Sequence, residues 1–206
     1  MVLSIGVLAY QGGIAEHEYL IKKACRELNV DCKTIWVTKI KHLNEVDAII
    51  IPGGESTTIV KLASRFGLFE ELRFRILEGL PAFGTCAGAI LLAKKVADRW
   101  TKKILENSLG VMDIYIVRNY YGRQRHSFEV DLSIPALGPK PFRGVFIRAP
   151  AITSVGKGVE ALAKLDNVIV MAKQKHILVT TFHPELTEDT RIHKFFIKDV
   201  AKLLQP

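Results

Sequence analysis

Cysteine is scarce in this chain, with only Cys25, Cys32 and Cys86 among 206 residues. Three thiols cannot all pair, and no two share a CxxC spacing, which argues against a disulfide framework and against a cysteine-based zinc site. A reducing cytoplasm is therefore the expected location. Long hydrophobic runs are missing too. The one early apolar run, residues 2–9, is short, lacks a basic leader and gives way to Gly12-Gly13, so it reads as neither signal peptide nor membrane span. Aromatic residues are few (8%) and are not interleaved with the basic ones in the way that stacks nucleic-acid bases. The net charge of +8 is spread over pairs such as Lys22-Lys23, Lys94-Lys95 and Lys102-Lys103. That pattern argues against a nucleic-acid site and for a solvated lysine-rich surface, with an acidic protein partner still compatible. Internal repeats, low-complexity tracts and linkers are all lacking, so residues 1–206 are expected to form one domain.

What the chain does contain is a regular alternation. Residues 2–9 read as a buried strand, 14–28 as an amphipathic helix, 32–37 and 48–51 as further strands. Ser56 or Thr57 is placed to cap a helix through residue 63, another helix is expected over 69–78, and a fourth strand ends at Phe83. Residues 87–97 are rich in good helix formers and predict a long helix. Fully apolar strands separated by helices imply a mainly parallel sheet covered on both faces. Past residue 97 the strands 109–117, 128–132, 144–147, 168–172 and 177–182 follow with few helices between them. The fold class expected is thus α/β, three-layered, with a mixed or antiparallel extension of the parallel sheet. Thr187 is expected to cap a closing helix whose apolar face carries Ile192, Phe195, Phe196, Val200 and Leu203.

Four polar clusters follow apolar strands: residues 10–13, Pro52 to Ser56, the segment around Cys86, and His183-Pro184-Glu185. Ligands of parallel sheets collect at such strand ends. Cys86 sits in Gly84-Thr85-Cys86-Ala87-Gly88, the layout of a nucleophile elbow, where small neighbours permit a tight strand-to-helix turn. The N–H groups of a following helix would favour the thiolate; the competing reading is a buried thiol acting as a small hydrophobe. His183 is suited to move a proton to and from such a thiol, and Glu185, two residues on along an extended segment, to orient the imidazole. A histidine at a strand end is otherwise an ordinary turn residue. Ala87 N–H and Gly54 N–H are candidate donors to an oxyanion, although a Pro-Gly-Gly sequence is by itself a simple turn. Arg118 and Arg148 are candidate partners for a substrate carboxylate, or else members of solvated salt bridges.

The blocks Gly6 to Gly12, Pro52-Gly53-Gly54-Glu55-Ser56-Thr57-Thr58, Phe83 to Gly88, Arg118-Asn119 through Gly122-Arg123-Gln124 to Ser127-Phe128-Glu129, Gly144 to Pro150 and Phe182 to Thr187 together resemble one family. It is that of the glutaminase subunits of pyridoxal 5'-phosphate synthase, within the class I glutamine amidotransferases of flavodoxin-like fold. The resemblance spans nearly the whole chain. It implies hydrolysis of L-glutamine through a thioester on Cys86, with His183 as base and acid and Glu185 orienting it. It further implies glutamine contacts from Gly54, Glu55, Ser56, Arg118, Ile147 and Arg148, and a partner-coupled loop at Gln11. Ammonia would pass to a (β/α)8-barrel synthase subunit in a large hetero-oligomer, with no cofactor or metal in this chain, since pyridoxal phosphate is the product. The glutaminase of imidazole glycerol phosphate synthase would share Cys86, His183 and Glu185 but not the blocks at 118–129 and 146–150. A non-catalytic docking module would be expected to have lost one of those three residues.

Overall fold

The strand Leu3–Leu8 (β1) is buried along its whole length because both of its faces are covered. Leu8 points to one side of the sheet, while Leu3, Ile5 and Val7 point to the other. Such continuous apolar strands are the mark of a parallel sheet clad on both faces. A computed structural model describes residues 2–101, 103–105, 107–122 and 127–204. In chain order the elements after β1 are α1 (Ile14–Glu27), β2 (Cys32–Val37), α2 (Ile40–Leu43), β3 (Ala48–Ile51), α3 (Ser56–Arg65), α4 (Leu68–Leu77), β4 (Ala82–Thr85) and α5 (Ala87–Leu92). There follow β5 (Ala93–Asp98), β6 (Ile104–Leu105), β7 (Met112–Arg118), β8 (Phe128–Leu132), β9 (Phe142–Phe146) and β10 (Ala151–Val155). The last are β11 (Glu160–Leu165), β12 (Val168–Gln174), β13 (Ile177–Thr180) and α6 (Arg191–Phe195), the latter continued by a π-helical turn, Phe196–Val200.

Strands β2, β1, β3, β4 and β13 are neighbours in that order and all parallel. This is the 2-1-3-4-5 winding of flavodoxin-like folds, in which ligands gather beyond the carboxyl ends of the strands. Beyond β13 the sheet continues antiparallel through β12 and β10 to β7, with β11 paired to β12, and β5 and β6 complete the far edge. The mixed extension expected from the sequence is thus present. Residues of α3, α4 and α5 close one face around Ile49 and Ile51. Residues of α1, α6 and the separate β8–β9 hairpin close the other around Ala48 and Ile50.

Three local expectations need correction. The long helix over 87–97 stops at Leu92, and Ala93 turns to φ −65, ψ 143. Residues 93–98 become β5, paired along β7 from Ala93↔Met112 to Asp98↔Arg118. Strand pairing outweighs the helix preference of an Ala-Lys-Lys sequence, because propensity amounts to tenths of a kcal/mol per residue. Neither Ser56 nor Thr57 caps α3. Glu55 holds the N-cap position, and Thr57 Oγ1 donates to its carboxylate (3.2 Å). Nor does Thr187 cap the closing helix: its hydroxyl donates to the Pro184 carbonyl (3.0 Å), while Asp189 Oδ1 accepts the Arg191 N–H (3.0 Å) at the start of α6. Strands β6, β10 and β11 carry no clear sequence signal. Arg123, Gln124, Arg125 and His126 of the block 118–129 lie outside the described residues. No helix of the described residues is long and apolar enough to cross a membrane.

Candidate active site

The loops after β1, β3, β4 and β13 meet at one edge of the parallel sheet, and Cys86 stands among them. It is the single residue between β4 and α5, at φ 49, ψ −101, a backbone conformation that residues other than glycine rarely adopt. The surroundings impose this geometry. Cys86 N–H donates to the Thr180 carbonyl (2.8 Å), extending the β4–β13 ladder by one bond, and the Cys86 carbonyl accepts the first helical bond from Ile90 (3.3 Å). A Cβ at residue 88 would fall 2.0 Å from the Ile51 carbonyl oxygen, so only glycine lets α5 press this closely on β3. Strain at one residue is stabilised by the packing of its neighbours.

His183 follows β13 and is anchored by its own N–H to the Val145 carbonyl of β9 (2.9 Å). Its Nδ1 lies 2.7 Å from Glu185 Oε1. The sequence argument placed Glu185 by alternation along an extended segment. Instead, Pro184–Leu186 form a 3-10 turn that curls the carboxylate back beneath the ring. Glu185 is buried, at 4% exposure. Burial opposes its ionisation, yet His17 and the hydrogen bond from His183 hold its carboxyl below the usual carboxylate range. Burial likewise depresses the His183 imidazole, but the facing Cys86 sulfur and the Glu185 carboxylate outweigh it and raise its pKa to about 10. Gly53 forms the wall beside both groups: a Cβ there would fall 2.4 Å from His183 Cε1 and 3.4 Å from Cys86 Cβ.

A cleft of about 370 Å³ opens over these residues, a size suited to a small molecule. Gly54, Glu55, Ser56, Cys86, Ala87, Arg118, Ile147, Arg148, His183 and Glu185 all line it. Gln11 is not part of the lining; its Oε1 accepts the Glu55 N–H (3.0 Å), so it braces the Gly54-Glu55 loop from behind. Arg118, at the end of β7, pairs with Glu55 at the start of α3 (2.8 Å). The Ile147 carbonyl lies 3.9 Å from the Cys86 sulfur, and Arg148 takes φ 47 in the turn after β9. Glu16, Ile90 and Asn119 also line the cleft; the sequence assigned no site role to any of them, Asn119 standing only within the block 118–129. A site with a thiol, an imidazole and a carboxylate in line, flanked by charges of both signs, is equipped for acyl transfer from a small zwitterion. Among the described residues no group of three His, Cys, Asp or Glu is arranged to hold a metal ion.

Residues 7–202 match the model of the SNO glutamine amidotransferase family. Among similar proteins is the pyridoxal 5'-phosphate synthase subunit PdxT of Staphylothermus marinus, 49% identical over 97% of this chain and 100% of the relative. The subunit of the same name from Carboxydothermus hydrogenoformans is 51% identical over 97% of this chain and 99% of its own length. A crystal structure described as a glutamine amidotransferase superposes with a TM-score of 0.80 at 46% identity, covering 96% of this chain and 98% of that one.

Proposed function

Because the chain belongs to the SNO glutamine amidotransferase family, we propose that it hydrolyses L-glutamine to L-glutamate and ammonia and delivers the ammonia to a synthase partner that makes pyridoxal 5'-phosphate. The observation that carries the catalytic assignment is the alignment of Cys86, His183 and Glu185 at the base of the cleft. Cys86 Sγ attacks the carboxamide carbon, and the carbonyl oxygen takes up the charge. The N–H groups of Ala87 and Gly54 receive that oxyanion, each donor being worth roughly 3 kcal/mol of barrier. With its pKa raised to about 10, His183 holds a proton at neutral pH and delivers it to the departing nitrogen. Ammonia leaves, and a thioester joins Cys86 to the glutamyl group. His183 then takes a proton from water, whose oxygen attacks the thioester and releases glutamate and the thiol. Arg118 and Arg148 suit the substrate carboxylate, and Glu55 its ammonium group. Gln11 supports the Gly54-Glu55 loop, which gives a docked partner a lever on the oxyanion hole. The partner is proposed to be a (β/α)8-barrel subunit, joined in a hetero-oligomer.

Ammonia release from glutamine should disappear in Cys86→Ala and rise when the synthase subunit is added to the wild type. Equal release by wild type and Cys86→Ala overturns the catalytic assignment. A synthase subunit that neither binds nor stimulates the wild type overturns the vitamin B6 destination while leaving the glutaminase intact.

A further inference from the structure

On the far side of Glu185 from His183 lies a pair of histidines that the hydrolysis scheme leaves without a role. His17 of α1 and His193 of α6 are both fully buried, at 0% exposure. His17 Nε2 is 3.5 Å from Glu185 Oε2 and 3.3 Å from Thr85 Oγ1. Its other nitrogen, Nδ1, is 3.1 Å from His193 Nε2. The charged or titratable groups acting on the pair are Glu16 of α1 and His183 and Glu185 of the loop after β13. From β4 come the ring of Phe83 and the hydroxyl of Thr85.

The positions of the protons follow from what each nitrogen faces. Burial lowers the pKa of both imidazoles, that of His193 to about 3, so each is neutral and carries a single N–H. His193 Nδ1 has no hydrogen-bond partner among the described residues, and a bare ring nitrogen bears that better than a buried N–H. The His193 proton is therefore on Nε2 and is donated to His17 Nδ1. That leaves the His17 proton on Nε2, directed at Thr85 Oγ1 and Glu185 Oε2. At 3.5 Å the last contact is longer than a hydrogen bond. It still aims an N–H dipole at a carboxylate oxygen that has no hydrogen-bond partner among the described residues. Donors thus run in one direction from α6 through α1 to Glu185, and His183 Nδ1 donates to the opposite oxygen.

We propose that His17, locked in one tautomer by His193, is a positioning residue that holds the Glu185 carboxylate ionised and oriented, and thereby keeps His183 protonated at Nδ1, with Nε2 toward Cys86 as the nitrogen that exchanges the catalytic proton. A buried carboxylate stripped of this dipole either takes up a proton or turns away from His183. Both outcomes deprive the imidazole of its anion.

The inference rests on the amidotransferase reading, and its test has a part that does not depend on activity. Nitrogen-15 ring shifts of the wild type should report His17 and His193 both protonated at Nε2. In His17→Leu, His183 should titrate at least about one pH unit lower than in the wild type. In glutamine hydrolysis, His17→Leu should lower kcat by at least about tenfold while KM stays within about twofold, with the acid limb of kcat moved to higher pH. His17→Gln, whose amide N–H reaches the place of Nε2, should recover most of the rate. His17 protonated at Nδ1, or His183 titrating alike in wild type and His17→Leu, overturns the inference even in a protein with full activity. A wild type that does not hydrolyse glutamine counts against the amidotransferase reading instead.

Discussion

At the scale of single residues, the site depends on atoms that are missing as much as on those present. Gly53 carries no side chain into the space between His183 and Cys86, where a methyl group would meet the imidazole at 2.4 Å. Gly53→Ala should therefore leave a folded protein, since the obstructing group is a side chain that lines an open cleft and can swing into it. Displacing the imidazole by about an ångström costs on the order of a hundredfold in kcat. Steady-state kinetics beside a circular dichroism spectrum checks this, and an unchanged kcat would show that the ring is not held against Gly53. Much at this scale was legible beforehand. Cys86, His183 and Glu185 stand in short motifs whose chemistry is local, and all three line one cleft. His17 was not legible. It shares the apolar stripe of α1 with Leu20, Ile21 and Ala24, and a histidine at such spacing reads as packing until its neighbours from α6 and β4 are known.

At the scale of elements, α1 and α6 are joined through the two buried histidines, and this has a consequence for acid stability. His193 titrates near 6.5 in an exposed chain but is pushed down to about 3, chiefly by burial. The unfolded chain thus binds a proton that the native protein refuses between those values. Stability contributed by neutral His193 is complete above about pH 6.5 and is lost as pH falls toward 3. The slope is about 1.4 kcal/mol per pH unit, or roughly 2 kcal/mol between pH 7 and pH 5. Urea unfolding at the two pH values should show that loss in the wild type and a flatter dependence in His193→Phe. Equal slopes would mean that His193 is protonated in the native state. The same scale holds the clearest departures from local pattern. Residues 93–98 favour helix by composition, yet the backbone groups of β7 offer them a ladder, and a ladder of paired bonds outweighs propensity. Thr187 has the chemistry of a cap but lies within the turn that carries Glu185, and its hydroxyl bonds to that turn.

For the whole molecule, one sheet runs from β2 at one edge to β6 at the other without interruption. The two tryptophans report on its two ends: Trp36 lies on β2, and Trp100 follows β5. A single domain over the whole chain predicts one cooperative transition. Single-tryptophan variants, Trp36→Phe and Trp100→Phe, should unfold in urea with coincident midpoints. Separate midpoints would divide the chain into a parallel half and an extension that fold independently.

The sequence by itself determined the layered α/β class and the parallel strands, and it singled out Cys86, His183 and Glu185, which the fold brings to one cleft, because these rest on short-range periodicity and on side-chain chemistry that no partner can alter. Only the tertiary structure decided where α5 ends, how β5, β10 and β11 enter the sheet, that Gln11 braces the loop rather than lining the cleft, and that His17 and His193 stand behind Glu185. Each of those depends on groups far apart in the chain. A hydrogen bond between residues 176 positions apart leaves no trace in local pattern, since neither residue carries information about the other until the sheet has brought α1 and α6 together.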